Sequence, residues 1–136
     1  MIRTMHVLAT AACLAAACGA QAAPARPDVY QSCLDNSGGV DPVMKQCGAD
    51  EIGRQEKVLN AAYGRVRARL TPPLSTDLVT AQRAWLTFRD AQCRFEYDRK
   101  QPGTMGGLLY QSCVLDRTAL RIRDLRAMLK AISDPP

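Results

Sequence analysis

Apolar residues recur at intervals of three, four and seven positions in three long stretches of this chain, a spacing that forms one face of an α-helix. Proline and glycine interrupt the pattern at Pro72-Pro73 and within 102–107, which predicts that helices end there. No stretch shows the period of two that indicates a strand. The predicted apolar faces comprise Ile52, Leu59, Tyr63, Val66 and Leu70; Leu78, Ala81, Trp85, Phe88 and Phe95; and Leu108, Leu115, Ala119, Ile122, Leu125, Leu129 and Ile132.

Shorter signals predict where the helices begin and add a fourth, shorter helix. Residues 28–36 form this short helix, which the turn 37–40, containing two glycines, interrupts. Asp41-Pro42 then starts the first long helix, with a capping carboxylate and a proline whose fixed φ suits the first position. Residues 75–77 offer caps for the next long helix. We expect an all-α fold, a small antiparallel array of one short and three longer helices.

The first 22 residues have the pattern of a secretory signal peptide. Arg3 precedes an apolar run over 7–17 that is too short to span a bilayer, and Ala20-Gln21-Ala22 has the small-x-small form of a cleavage site. Cleavage after Ala22 leaves 23–136 as a single domain, with a core over about 30–132 and no transmembrane helix. A less favoured alternative is cleavage before Cys18, which would make the protein a lipoprotein. The predicted location is periplasmic or secreted.

Removal of this leader changes the charge and the available chemistry. The 18 basic residues lose Arg3, which leaves 17 against 13 acidic residues and reduces the net charge from +5 to +4. The single histidine, His6, is also lost, which excludes Ser-His-Asp and Cys-His catalysis and a His-ligated metal. No phosphate-binding loop or nucleophile elbow occurs, so we expect neither an enzyme nor a cofactor. The compartment and the lack of a binding motif argue against nucleic acid.

The cysteines beyond the leader predict disulfides. An even number of cysteines in an exported chain indicates disulfide bonds, whereas zinc sites need closely spaced ligand pairs that are missing here. One pair of cysteines flanks the Gly38-Gly39 turn and the other flanks the 102–107 turn. Because the segments on either side of each turn run antiparallel, the two cysteines of each pair can lie opposite one another on neighbouring helices. Disulfides that cross the bundle in another pairing are also geometrically possible. We expect two disulfides, Cys33–Cys47 and Cys93–Cys113.

The most specific stretch of the sequence is 81–93, which contains Gln-Arg-Ala-Trp followed by Phe-Arg-Asp and a cysteine. Helical spacing predicts that Trp85 and Phe88 anchor the core together with Ala81. The sequence also contains an earlier Leu-Asn-Ala-Ala-Tyr segment, Cys113, Thr118 and the predicted signal peptide. Together with the stretch 81–93, these features resemble the LprI-type lysozyme inhibitor family over residues from about 30 to 129. The matching positions, which we expect to form scaffold, are Leu59, Asn60, Tyr63, Gln82, Arg83, Trp85, Phe88, Arg89 and Asp90.

This resemblance implies a small helical, disulfide-bonded domain of the bacterial envelope that inhibits lysozyme by protein–protein contact. Common lysozymes are strongly basic, and this chain is basic as well, so net charge does not favour the complex. A local basic segment would still complement the two catalytic carboxylates of the lysozyme cleft. The candidate binding residues are Tyr97, Arg99 and Lys100, which precede the 102–107 turn.

An alternative function is a non-catalytic structural domain that binds anionic components of the envelope. Arginines recur on the first and last long helices and could form cationic faces for phospholipid or lipopolysaccharide. These arginines are Arg65, Arg67 and Arg69 on one helix and Arg117, Arg121, Arg123 and Arg126 on the other.

Overall fold

The computed structural model describes residues 28–100 and 104–134, and the predicted signal peptide and Cys18 lie outside these residues. The described residues form four α-helices and no strand. This confirms the predicted all-α array of one short and three long helices. The helices are α1 (Asp28–Asp35), α2 (Asp41–Arg67), α3 (Leu74–Lys100) and α4 (Thr104–Ser133).

The helix ends differ in detail from the sequence-based prediction. Val40 is the N-cap of α2 and no side chain caps that terminus, because Asp41 already lies in the first turn and pairs with Lys45 at 2.7 Å. At the start of α3 the backbone N–H groups of Thr76 and Asp77 donate to the carbonyl of Pro73. The predicted capping segment 75–77 is therefore helical, since a neighbouring carbonyl satisfies the free N–H groups instead.

The last long helix begins earlier than predicted, at Thr104, so Gly106 and Gly107 lie within α4 and do not precede it. A Cβ atom at Gly107 would lie 3.0 Å from Cε of Lys45 on α2. The glycine therefore allows α4 to approach α2 closely, and the sequence pattern could not distinguish this role from that of a helix breaker.

The core forms where α4 packs against both α2 and α3, while α1 packs against α2. A main cluster joins the three long helices, and a smaller cluster of Tyr30, Cys47 and Leu115 lies beneath α1. Tyr63, Leu70, Trp85 and Leu129 pack against the main cluster while partly exposed. The buried members of the main cluster are Leu59, Ala62, Val66, Leu78, Ile122 and Leu125.

Two disulfides hold the helix pairs together. Cys33–Cys47 joins α1 to α2 with a Cα–Cα distance of 5.8 Å, and Cys93–Cys113 joins α3 to α4 with a distance of 5.5 Å. The predicted pairing is confirmed. Each bond closes a short loop and stabilises the fold by about 3 kcal/mol through restriction of the unfolded chain. Gly38 and Gly39 adopt φ values of 59° and 76° in the turn between α1 and α2, which glycine tolerates without strain.

The buried face of α3 agrees only in part with the apolar spacing: Leu78 is buried and Trp85 packs against the core as predicted. Phe88 and Phe95 are 53% and 60% exposed, and Ala81 is also exposed, so these three residues do not anchor the core. Instead α3 buries Gln82 and Arg89 together with Leu78 and Cys93. The prediction failed for Ala81, Phe88 and Phe95 because it placed every apolar residue of α3 on the inner face. The inner face of α3 also carries polar side chains, and α4 provides their hydrogen-bonding partners.

Candidate interaction surfaces

Arg89 is the centre of a polar network that joins three helices. Its Nε donates to Oδ1 of Asp90 at 2.8 Å, and its Nη1 donates to the buried hydroxyl of Thr118 at 3.3 Å. Nη1 also lies 3.6 Å from a carboxylate oxygen of Glu56 on α2. The guanidinium carbon is 5.4 Å from the centre of the Trp85 ring. This buried charge is thus hydrogen-bonded, paired and placed near an aromatic ring, which offsets the cost of its desolvation.

A second arginine joins α4 to the same stretch of α3. Arg121 donates from Nε to Oε1 of buried Gln82 at 3.0 Å, and its guanidinium carbon lies 5.8 Å from the Trp85 ring centre. The ring of Trp85 therefore lies near two guanidinium groups, one from each helix. Through these contacts the stretch 81–93 connects α3 to α4.

The remaining positions of the predicted scaffold set divide between the interior and the surface. Leu59 belongs to the main core cluster and Tyr63 packs against it. Asn60, Arg83 and Phe88 are exposed. Exposed positions are available to a partner, so the stretch that carries the resemblance combines core contacts with accessible side chains.

The end of the molecule where α3 finishes and α4 begins, here called the tip, contains the candidate binding residues. Tyr97 is partly buried and lines a cavity of about 480 Å³ together with Arg94, Asp98, Gly107 and Tyr110. The backbone of Arg99 and Lys100 belongs to the last turn of α3, while their side chains lie outside the described residues. The Cys93–Cys113 disulfide lies within about one helical turn of both tyrosines and fixes the tip.

A second concave surface, here called the groove, lies between α2 and α4. Its volume is about 410 Å³, and its apolar part is formed by Val29, Val58, Ala119 and Ile122. The sequence did not indicate this surface, because its lining comes from three separate helices. Its polar lining consists of Glu51, Arg54, Gln55, Arg123 and Arg126.

Glu51 is a buried carboxylate in the groove, with 1% of the residue exposed. Arg54 pairs with it at 2.8 Å, and Nε2 of Gln55 donates to its second oxygen at 3.2 Å. Both oxygens are therefore satisfied, as burial of a charge requires. Nothing in the sequence distinguishes Glu51 from its exposed neighbour Asp50, since only the packing of α2 against other helices buries one of the two.

The arginines proposed for an anionic-envelope surface do not share a single face. Arg65 and Arg67 are exposed on α2 but lie two positions apart, which places them on opposite sides of the helix. Arg117 pairs with Glu96 at 3.5 Å, and Arg121 donates to Gln82 at 3.0 Å. Only Arg123 and Arg126 lie together at a common concave surface, the groove.

Two further properties of the described residues restrict the possible chemistry. Within 28–100 and 104–134, no three histidine, cysteine, aspartate or glutamate residues are grouped so that they could hold a metal ion. None of the described helices contains an apolar segment long enough to cross a bilayer.

These features define a small disulfide-bonded helical domain with concave surfaces at its tip and along its side. Comparison with known families identifies the particular family. The family described as Lysozyme inhibitor LprI matches residues 33–125, which include both disulfides and the network around Arg89. The chain belongs to this family, which confirms the resemblance found in the sequence. Comparison with curated proteins and with solved structures gave no match.

Proposed function

We propose that this protein is an exported inhibitor of lysozyme that acts by binding the enzyme and catalyses no reaction itself. The observation that carries the proposal is the family match over 33–125. Two disulfides support export, because such bonds persist in oxidising compartments. The pattern of 1–22 supports the same conclusion, since it has the charged start, apolar run and small residues of a signal peptide.

Within this proposal the tip enters the active-site cleft of lysozyme. Two carboxylates perform the hydrolysis in that cleft, and the cations of Arg99 and Lys100 complement them locally despite the basic net charge of both proteins. Tyr97 supplies a large aromatic surface beside the cations, as is common at the centre of interfaces. The nearby disulfide limits the freedom that the tip would lose on binding.

The direct test measures lysis of a cell-wall suspension by several classes of lysozyme, with and without the purified oxidised protein, over a series of salt concentrations. We expect dose-dependent protection against at least one class. Protection that weakens as salt rises would support contact between the tip cations and the cleft carboxylates, because salt screens exposed charges. A folded, disulfide-bonded protein that protects against no class would refute the proposal.

Paired variants test the tip itself. Arg99→Ala with Lys100→Ala is expected to weaken inhibition by about tenfold, the effect of losing about 1.4 kcal/mol of binding free energy. Arg65→Ala with Arg67→Ala removes the same charge from exposed positions on α2 and serves as the control. An equal effect of both pairs would show that net charge and not the tip controls binding.

A further inference from the structure

The groove between α2 and α4 is separate from the tip. Its lining runs from Glu51 to Val58 on α2 and from Ala119 to Arg126 on α4, a length of about 10 Å along each helix. Ala119 lies about 22 Å along α4 from Thr104, where the helix begins at the tip. A ligand in the groove therefore leaves the tip accessible, and binding in the groove does not depend on lysozyme binding at the tip.

The polar lining of the groove carries excess positive charge. The charge of Arg54 is matched by buried Glu51, to which it is paired at 2.8 Å. Arg123 and Arg126 are exposed, and neither forms an ion pair with another described residue. The apolar floor is thus bordered by two guanidinium groups whose forked donors match carboxylates.

We propose that the groove binds a short segment of another protein in which an apolar side chain is flanked by carboxylates. The apolar side chain rests on Val58 and Ile122, and the carboxylates reach Arg123 and Arg126. The single carboxylate of a fatty acid would pair with only one of these two guanidinium groups, and the length of the groove matches about three residues of extended polypeptide.

The experiment uses the oxidised protein and a fluorescent synthetic peptide with one tryptophan between glutamates. Binding is measured by fluorescence anisotropy at low salt. Two matched peptides separate the contributions: one replaces tryptophan by alanine, and the other replaces the glutamates by glutamines. We expect the peptide with tryptophan between glutamates to bind the protein. Both matched peptides are expected to bind about tenfold more weakly or not at all.

Charge reversal locates the binding site. Arg123→Glu with Arg126→Glu is expected to weaken binding of the peptide by about tenfold or more, and Val58→Glu is expected to do the same. Arg65→Glu with Arg67→Glu makes the same change in net charge away from the groove and is expected to leave affinity within about twofold. Circular dichroism establishes that each variant is folded.

Three results would overturn the inference. The first is failure of the tryptophan peptide to bind the folded protein. The second is an equal loss with both double variants, which would mean that only net charge attracts the peptide. The third is displacement of the peptide by octanoate or by phosphatidylglycerol vesicles, at concentrations below those at which the peptide itself binds. That result would assign the groove to an acyl chain. Lysozyme inhibition by the same variants reports on the tip, so failure of either proposal is recognised separately.

Discussion

Arg89 illustrates at the level of a single residue how a charged side chain becomes part of a helical core. Only 7% of the residue is exposed, yet Nε and Nη1 of its guanidinium both have hydrogen-bonding or ionic partners. Asp90 and Glu56 remain about half exposed, so the network reaches from the buried Thr118 hydroxyl to solvent. Such an arrangement lets a buried arginine link α3 to α4.

Arg89→Ala is expected to lower the free energy of unfolding by about 2 kcal/mol, because the buried hydroxyl of Thr118 loses a donor and Trp85 loses one of its two neighbouring guanidinium groups. Arg83→Ala removes an exposed arginine from the same helix and is expected to change stability by less than about 0.5 kcal/mol. Urea unfolding followed by circular dichroism measures both. Similar losses in the two variants would show that the Arg89 network has no stabilising role.

At the scale of helices, α2 contains glycines with opposite surroundings. A Cβ atom at Gly53 would meet no atom within 4 Å, whereas one at Gly48 would lie 2.7 Å from Cδ of Gln111 on α4. Gln111 donates to the carbonyl of Lys45 at 2.9 Å and so fixes α4 against the start of α2. Gly48 therefore serves the contact between two helices, and Gly53 has no such role.

Gly53→Ala is expected to stabilise the protein by up to about 0.8 kcal/mol through helix propensity. Gly48→Ala gains the same propensity but displaces Gln111 and breaks its hydrogen bond, so it is expected to be about 1 kcal/mol less stable than Gly53→Ala. Thermal and urea unfolding measure the difference. In a Gln111→Ala background the Gly48 substitution should lose its penalty, and a penalty that persists there would disprove the assigned contact.

At the scale of the whole molecule, the two disulfides close loops of similar length but lie at different distances from the tip. Cys33–Cys47 holds α1 on α2, and Cys93–Cys113 holds α3 on α4 next to Tyr97 and Tyr110. Their contributions to stability should therefore be alike, while their contributions to binding at the tip should differ.

Replacing either cysteine pair by alanines is expected to lower the free energy of unfolding by about 3 kcal/mol. Only the variant that lacks Cys93 and Cys113 is expected to lose inhibition of lysozyme under conditions where both variants are folded, because its tip must be ordered on binding. Inhibition and unfolding assays on the same samples provide the check. Equal inhibition by the two folded variants would contradict the role given to the tip.

The sequence by itself determined the helical class and the order of the helices, and it favoured the disulfide pairing that the structure confirms. These properties depend on local spacing, on breakers such as Pro72 and Gly38, and on where cysteines flank turns, all of which act over a few residues. Family membership likewise followed from the stretch that contains Trp85. The helical class needed no knowledge of which helix lies against which, and the disulfide pairing assumed only that helices adjacent in sequence lie side by side.

Only the tertiary structure decided which faces are buried. The apolar spacing of α3 predicted Phe88 as a core residue, but α4 presents Thr118 and Arg121, which satisfy Arg89 and Gln82 on a face rotated by about 100° from Phe88. The packing of the helices also buries Glu51 and forms the groove from residues of α1, α2 and α4. A periodic pattern defines a face in each helix, whereas burial depends on partners that are distant in the chain, and polar groups can form a core when those partners complete their hydrogen bonds.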